Sequence, residues 1–82
     1  METRIALVAI IVKDRSQIPR LNELLMDYGQ YILGRMGLPH QVHNGEELAI
    51  ISIAMEAPQD VISALSGKLG MLKGVTSKVI YS

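Results

Sequence analysis

Hydrophobic residues enter this chain as two near-continuous blocks and two helical stripes, and the order of these patterns predicts the fold. Arg4 to Lys13 is rich in Ile and Val and bounded by charges, which suits a strand. Asp14, Arg15 and Ser16 then offer capping side chains, and Pro19 suits a first helical turn. Ile18, Leu21, Leu25 and Tyr28 follow at spacings of three and four, with Leu24 beside them, so one helical face is apolar. Gly29 is expected to stop this helix in the left-handed conformation. A second strand from Gln30 to Val42 is interrupted by Gly34, Gly37 and Pro39, which a sheet edge tolerates and a centre does not.

Asn44-Gly45 is a hairpin turn signal, and the third strand, Leu48 to Met55, repeats the character of the first. Pro58 opens a second helix whose buried face is expected to be Val61, Ile62, Leu65 and Leu69. Gly74 ends a short turn, and Val75 to Tyr81 alternates as a last strand. The order β-α-β-β-α-β predicts an α+β, ferredoxin-like split sandwich. Its antiparallel sheet takes the order 4-1-3-2 with both helices on one face. No linker, repeat or low-complexity stretch divides residues 1–82, so one domain is expected.

An antiparallel sheet with one wet face alternates apolar and polar residues. The first strand does not: Ile5, Leu7, Ala9 and Ile11 are apolar on one parity, and Ala6, Val8, Ile10 and Val12 on the other. The third strand carries Ala49, Ile51, Ile53 and Met55 on one parity and Leu48, Ile50, Ser52 and Ala54 on the other. These are the two central strands, and the helices cover a single face. Several hundred Å² of apolar surface would stay open, about the limit that monomers tolerate. Either a bend or loop of the same chain covers it, or a second copy does, and so short a chain has little segment to spare. Self-association is therefore expected through Ile5, Leu7, Ile11, Ile51, Ile53 and Met55.

Composition narrows the function. Apolar residues make up 49% of the 82 positions, which excludes a disordered tail. No cysteine is present, which removes disulfides, thiolate metal sites and thiol nucleophiles. Eight basic residues balance eight acidic ones, so no overall field attracts a phosphate backbone. Lys68, Lys73 and Lys78 are the only basic cluster, and direct DNA binding is not expected. The apolar run Ile5 to Val12 is far short of the roughly 20 residues that span a bilayer, and charges bracket it without a cleavage pattern. No membrane association is expected, and the chain is read as cytoplasmic.

Few residues suggest chemistry. His40 and His43 are the only histidines; three apart near a hairpin tip, they make a weak metal pair against the plainer reading of a solvated turn. Ser66-Gly67-Lys68-Leu69-Gly70 superficially resembles a phosphate loop but lacks its glycine spacing and ends a helix instead of opening one. Gly67 inside a helix suggests that something approaches closely there. Arg35 lies in a glycine-flanked apolar stretch; a pair with Asp27, Glu56 or Asp60 is the favoured reading, and an anion clamp with Ser66 and Lys68 the alternative. Tyr28, Tyr31 and Tyr81 read as core or interface aromatics. No nucleophile stands beside a base, so neither an enzyme nor a bound cofactor is expected.

Two blocks, Tyr28-Gly29-Gln30-Tyr31-Ile32-Leu33-Gly34-Arg35-Met36-Gly37 and Val61-Ile62-Ser63-Ala64-Leu65-Ser66-Gly67-Lys68-Leu69-Gly70-Met71-Leu72, resemble the small regulators of the iron-only hydrogenase system. Gly74-Val75, Lys78-Val79-Ile80-Tyr81-Ser82 and the opening Arg4-Ile5-Ala6 extend the resemblance over essentially the whole chain. It implies an ACT-like domain, similar to the C-terminal ligand-sensing domain of the nickel-responsive regulator, which forms a tetrameric core. It further implies a homo-oligomer, dimer or tetramer, that binds a small effector or a protein of the hydrogenase system. The sequence departs from the nickel-responsive regulator in lacking the DNA-binding segment and the cysteine of the nickel site. The alternative reading is a metal- or anion-binding sensor using His40 and His43, or Arg35 with Lys68.

Overall fold

The β-branched run near the start of the chain becomes one of the two inner strands of the sheet, with hydrogen-bonding partners on both edges. In a computed structural model, which describes residues 2–82, β1 (Arg4–Val12) pairs antiparallel with both β3 (Glu46–Ala57) and β4 (Val75–Tyr81). β2 (Ile32–His43) adds antiparallel to the free edge of β3, giving the sheet order β2-β3-β1-β4. This is the expected 4-1-3-2 order read from the opposite edge. Helices α1 (Ile18–Asp27) and α2 (Gln59–Gly70) connect the strands, and the whole is a ferredoxin-like split sandwich.

The core lies between the helices and one face of the sheet. Ala6, Val8, Ile10 and Val12 of β1 meet Leu21, Leu24 and Leu25 of α1 and Ile62, Leu65 and Leu69 of α2, all buried. Val61, assigned to the buried stripe of α2, is only half-buried at its margin. Register then decides which parity of β3 joins this core. Val8 stands opposite Ile53 and Ile10 opposite Ile51, and directly paired residues share a face. Ile51, Ile53 and Met55 are therefore buried beneath the helices, and the expectation that they lie on the open face is corrected. The open parity of β3 is Leu48, Ile50, Ser52, Ala54 and Glu56.

The connections follow local chemistry. Asn44 and Gly45 both have positive φ, 53° and 79°, as a two-residue hairpin requires. β2 is irregular where glycine and proline predicted it, with register shifts between Ile32 and Gly34 and between Leu38 and Gln41. The β2–β3 hairpin runs beyond β1, which stops pairing at Ala49, and the molecule is elongated at 45 × 20 × 16 Å. Gly29 does not take a left-handed stop; it opens a 3₁₀ turn, Gly29–Tyr31, which hands α1 over to β2.

Two glycines have opposite roles. Gly67 faces open space, since a Cβ built there meets no atom within 4 Å, so nothing in the fold approaches it closely. Gly74 has φ +71°, and a Cβ there would lie 2.8 Å from the Asp14 Cβ and 3.0 Å from the Asp14 nitrogen. Its carbonyl also accepts a 2.7 Å hydrogen bond from the Lys13 N–H, which ties the end of β1 to the start of β4. Asp14 in turn accepts the Ser16 N–H at 3.0 Å and the Ser16 hydroxyl, capping the 3₁₀ turn Arg15–Gln17. Those bonds, the hydroxyl first, hold the Asp14 carboxyl below the usual carboxylate range.

In thermal unfolding, Gly67→Ala is expected to stabilise by about 0.5–1 kcal/mol, the helix-interior cost of glycine. Gly74→Ala is expected to destabilise by about 2 kcal/mol or more, from left-handed backbone strain and the clash with Asp14. Because the folded pKa of Asp14 is lowered, its contribution is present above the unfolded carboxylate value and is lost as pH falls through the folded one. Asp14→Asn should therefore flatten the acid side of the stability–pH curve, as read from unfolding midpoints measured down through the carboxylate range.

Candidate functional site

The sheet face away from the helices carries large apolar side chains on every strand, interrupted by Ser52 and Glu56 of β3 and Thr76 and Lys78 of β4. Ile5, Leu7, Ala9 and Ile11 of β1 lie beside Ile50 and Ala54 of β3 and Ile80 of β4, with Met36 and Leu38 of β2 at the far edge. Leu7, opposite both Ala54 and Ile80, is 46% exposed at the centre; Ile80 is 64% and Met36 74% exposed. The large apolar side chains of this face leave on the order of 700 Å² open, more than the roughly 300–600 Å² of the largest patch on a typical monomer. Its relief is uneven. Gly34, Ser52 and Ala54 floor one shallow hollow of about 360 Å³ between Leu7 and Met36, and Ser52 also borders a second of about 350 Å³ beside Leu38 and Ile50. Ile5, Leu7 and Ile11 thus stand on this face as expected from the sequence.

The helix side carries a second concavity where the hairpin leaves the body. Arg15, from the 3₁₀ turn after β1, and Arg35, from β2, line a cleft of about 270 Å³ with Ile18, Gly37, Pro39, Ala49 and Ile51. The Asp14 cap fixes that turn, so the Arg15 side chain crosses to the hairpin and donates to the Pro39 carbonyl. Glu47, outside the lining, lies 4.0 Å from the Arg15 Nε. Arg35 donates to the Asn22 Oδ1 at 3.0 Å. Among the described residues no carboxylate lies within ion-pair distance of Arg35, so the favoured pairing with Asp27, Glu56 or Asp60 is corrected. Glu56 instead accepts the Thr3 hydroxyl at 2.9 Å.

The remaining candidates scatter. Ser66 shares a 3.0 Å hydrogen bond with Ser77, and Lys68 lies over the Tyr28 ring at 5.2 Å; neither lines the Arg35 cleft. His40 and His43 are exposed near the hairpin tip, where the His43 Nε2 lies 3.3 Å from the Asn44 amide nitrogen. No group of three or more His, Cys, Asp or Glu side chains converges among the described residues. Tyr81 stacks beneath the Arg4 guanidinium at 4.3 Å. No polar or charged side chain is buried among the described residues, and none of their helices is long and apolar enough to cross a membrane. Arg15 is the residue that sequence reasoning missed: it was read as a cap, and only the fold brings it opposite Arg35.

A family model described as "TM1266-like: Iron-only hydrogenase system regulator, putative" matches residues 4–79. Among solved structures, that of the uncharacterized protein TM1266 from Thermotoga maritima is similar over 98% of this chain and 98% of that one, at 40% sequence identity and a TM-score of 0.85. No curated protein matches.

Proposed function

Because this chain belongs to the TM1266-like family of regulators of the iron-only hydrogenase system, we propose that it is a non-catalytic regulatory domain working as a homo-oligomer. In this reading a second copy covers the open sheet face, and a small effector or a hydrogenase-system protein is the regulatory ligand. The observation that carries it is the run of large apolar side chains, Ile5, Leu7, Ile11, Ile50 and Ile80, on the side without helices. A stable interface buries about 800 Å² on each partner, and the open apolar surface of this face comes close to that alone. Two such faces can stack about 10 Å apart, as sheets do, with the side chains of one entering the hollows of the other.

The proposal includes no direct contact with DNA. Lys78 stands opposite Ala9 on the outer face and Lys68 lies over Tyr28 on the helix side, so they do not line one strand face as a groove-reading ribbon would need.

Leu7→Lys places a charge at the centre of the open face without touching the helix-side core. Sedimentation equilibrium should give a multiple of the 9.0 kDa chain mass for the native protein and 9.0 kDa for the variant, with an unchanged far-ultraviolet spectrum. A native protein that sediments as a 9.0 kDa monomer at micromolar concentration would refute the oligomeric reading.

A further inference from the structure

We infer that the cleft between the 3₁₀ turn Arg15–Gln17 and β2 is a binding site for a small aliphatic monocarboxylate, clamped by the guanidiniums of Arg15 and Arg35. This names the chemical class of the effector and rests on the effector half of the regulatory reading, not on self-association. The charge balance comes first. The cleft lining holds two arginines and no carboxylate, and the nearest acidic partner, the exposed Glu47 outside the lining, lies 4.0 Å from the Arg15 Nε. With Glu47 counted, one positive charge is left over, which a monoanion neutralises and a dianion would overshoot.

The donors come second. One terminal nitrogen of Arg15 is committed to the Pro39 carbonyl, and one of Arg35 to the Asn22 Oδ1. Each guanidinium keeps further N–H groups for a carboxylate, the geometry in which arginine surpasses lysine. Those existing bonds also hold the two side chains in place before a ligand arrives, which lowers the ordering cost of binding.

Shape and polarity of the walls come third. Ile18, Pro39, Ala49 and Ile51 line the remainder, so an ionic end is met by charge and a short hydrocarbon body by apolar surface. At about 270 Å³ the volume lies at the small end of ligand pockets, which excludes nucleotides and favours a body of a few carbons. Gly37 forms part of the wall without a side chain. A Cβ there would find its nearest neighbour, the Ile50 carbonyl oxygen, at an ordinary 3.8 Å. A larger residue can therefore be placed at this position to obstruct the cleft without a clash at its Cβ.

The test is a titration of the isotope-labelled full chain with isovalerate, followed by backbone amide shifts, with isovaleramide and inorganic phosphate as comparison probes. Isovalerate should give saturable shifts at Gly37, Ala49 and Ile51, and isovaleramide, of the same shape without the charge, should give none. Arg35→Gln should weaken binding at least tenfold, and Gly37→Val should abolish it while the unfolding midpoint stays near that of the native chain. Absence of saturable shifts with isovalerate, equal response to isovaleramide, undiminished binding by Arg35→Gln, or tighter binding of phosphate at the same amides would each overturn the assignment. Sedimentation of the same samples separates the two claims. A chain that associates but ignores isovalerate overturns the site alone, whereas isovalerate binding to a 9.0 kDa monomer supports the site and removes the oligomer.

Discussion

A four-stranded sheet has two faces, and this chain has helices for one of them. That imbalance governs the rest of the structure. β1 is apolar on both parities, so its pairing with β3 and β4 builds a buried core on one side and a second apolar layer on the other. Antiparallel register propagates the division: Leu7 opposite Ala54 and Ile80 continues the open layer, while Val8 opposite Ile53 and Val79 continues the covered one. The hydrophobic effect does not distinguish these layers by chemistry, only by what covers them. In the proposed assembly another copy covers the second layer, and a liability of so small a domain becomes the source of its association.

β2 borders both the proposed interface and the proposed ligand cleft. Arg35, Gly37 and Pro39 line the helix-side cleft, Met36 and Leu38 border the outer-face hollows, and Arg35 and Gly37 touch those hollows as well. The strand is an edge, exposed along nearly its whole length, and it carries two register irregularities. Such a segment is hydrogen-bonded along one edge only and buries little side-chain surface, a property expected of parts that move on binding. A carboxylate drawing Arg15 and Arg35 together would bias the position of β2, and with it the placement of Met36 and Leu38 against a neighbour. Any such influence is reciprocal, so assembly would alter the affinity for the anion by the same factor.

Much of this was legible in the sequence, and the failures have identifiable causes. Element order, the Asn44-Gly45 turn and the doubly apolar β1 gave the topology, because turn chemistry and hydrophobic period are local properties. The family resemblance was legible in the blocks around Gly29 and Gly67. The parity of β3 was not, since a strand apolar on both sides has no period from which to choose. A signal was nonetheless present: Ser52 and Glu56 share the parity of Leu48, Ile50 and Ala54, whereas Ala49 through Ala57 in the other parity is wholly apolar. Gly67 was read as a point of close approach when it faces open space, because a residue without a side chain leaves no local trace of what surrounds it. Arg35 was assigned a carboxylate partner on general grounds, and its sharing of a cleft with Arg15 depends on the hairpin reaching the β1–α1 connection, where Arg15 bonds Pro39, which sequence proximity cannot convey.

The central claim, that a second copy shields the outer sheet face, is tested most directly by the solvent access of individual methyl groups. With methyl-labelled native protein and a soluble paramagnetic reagent, the methyls of Ile5, Leu7, Ile11, Ile50 and Ile80 should be attenuated as weakly as those of the core residues Val8 and Ile53. Met26 and Met71, 80% and 85% exposed outside that face, supply the standard for open surface. Outer-face methyls attenuated as strongly as Met26 and Met71 would contradict the account.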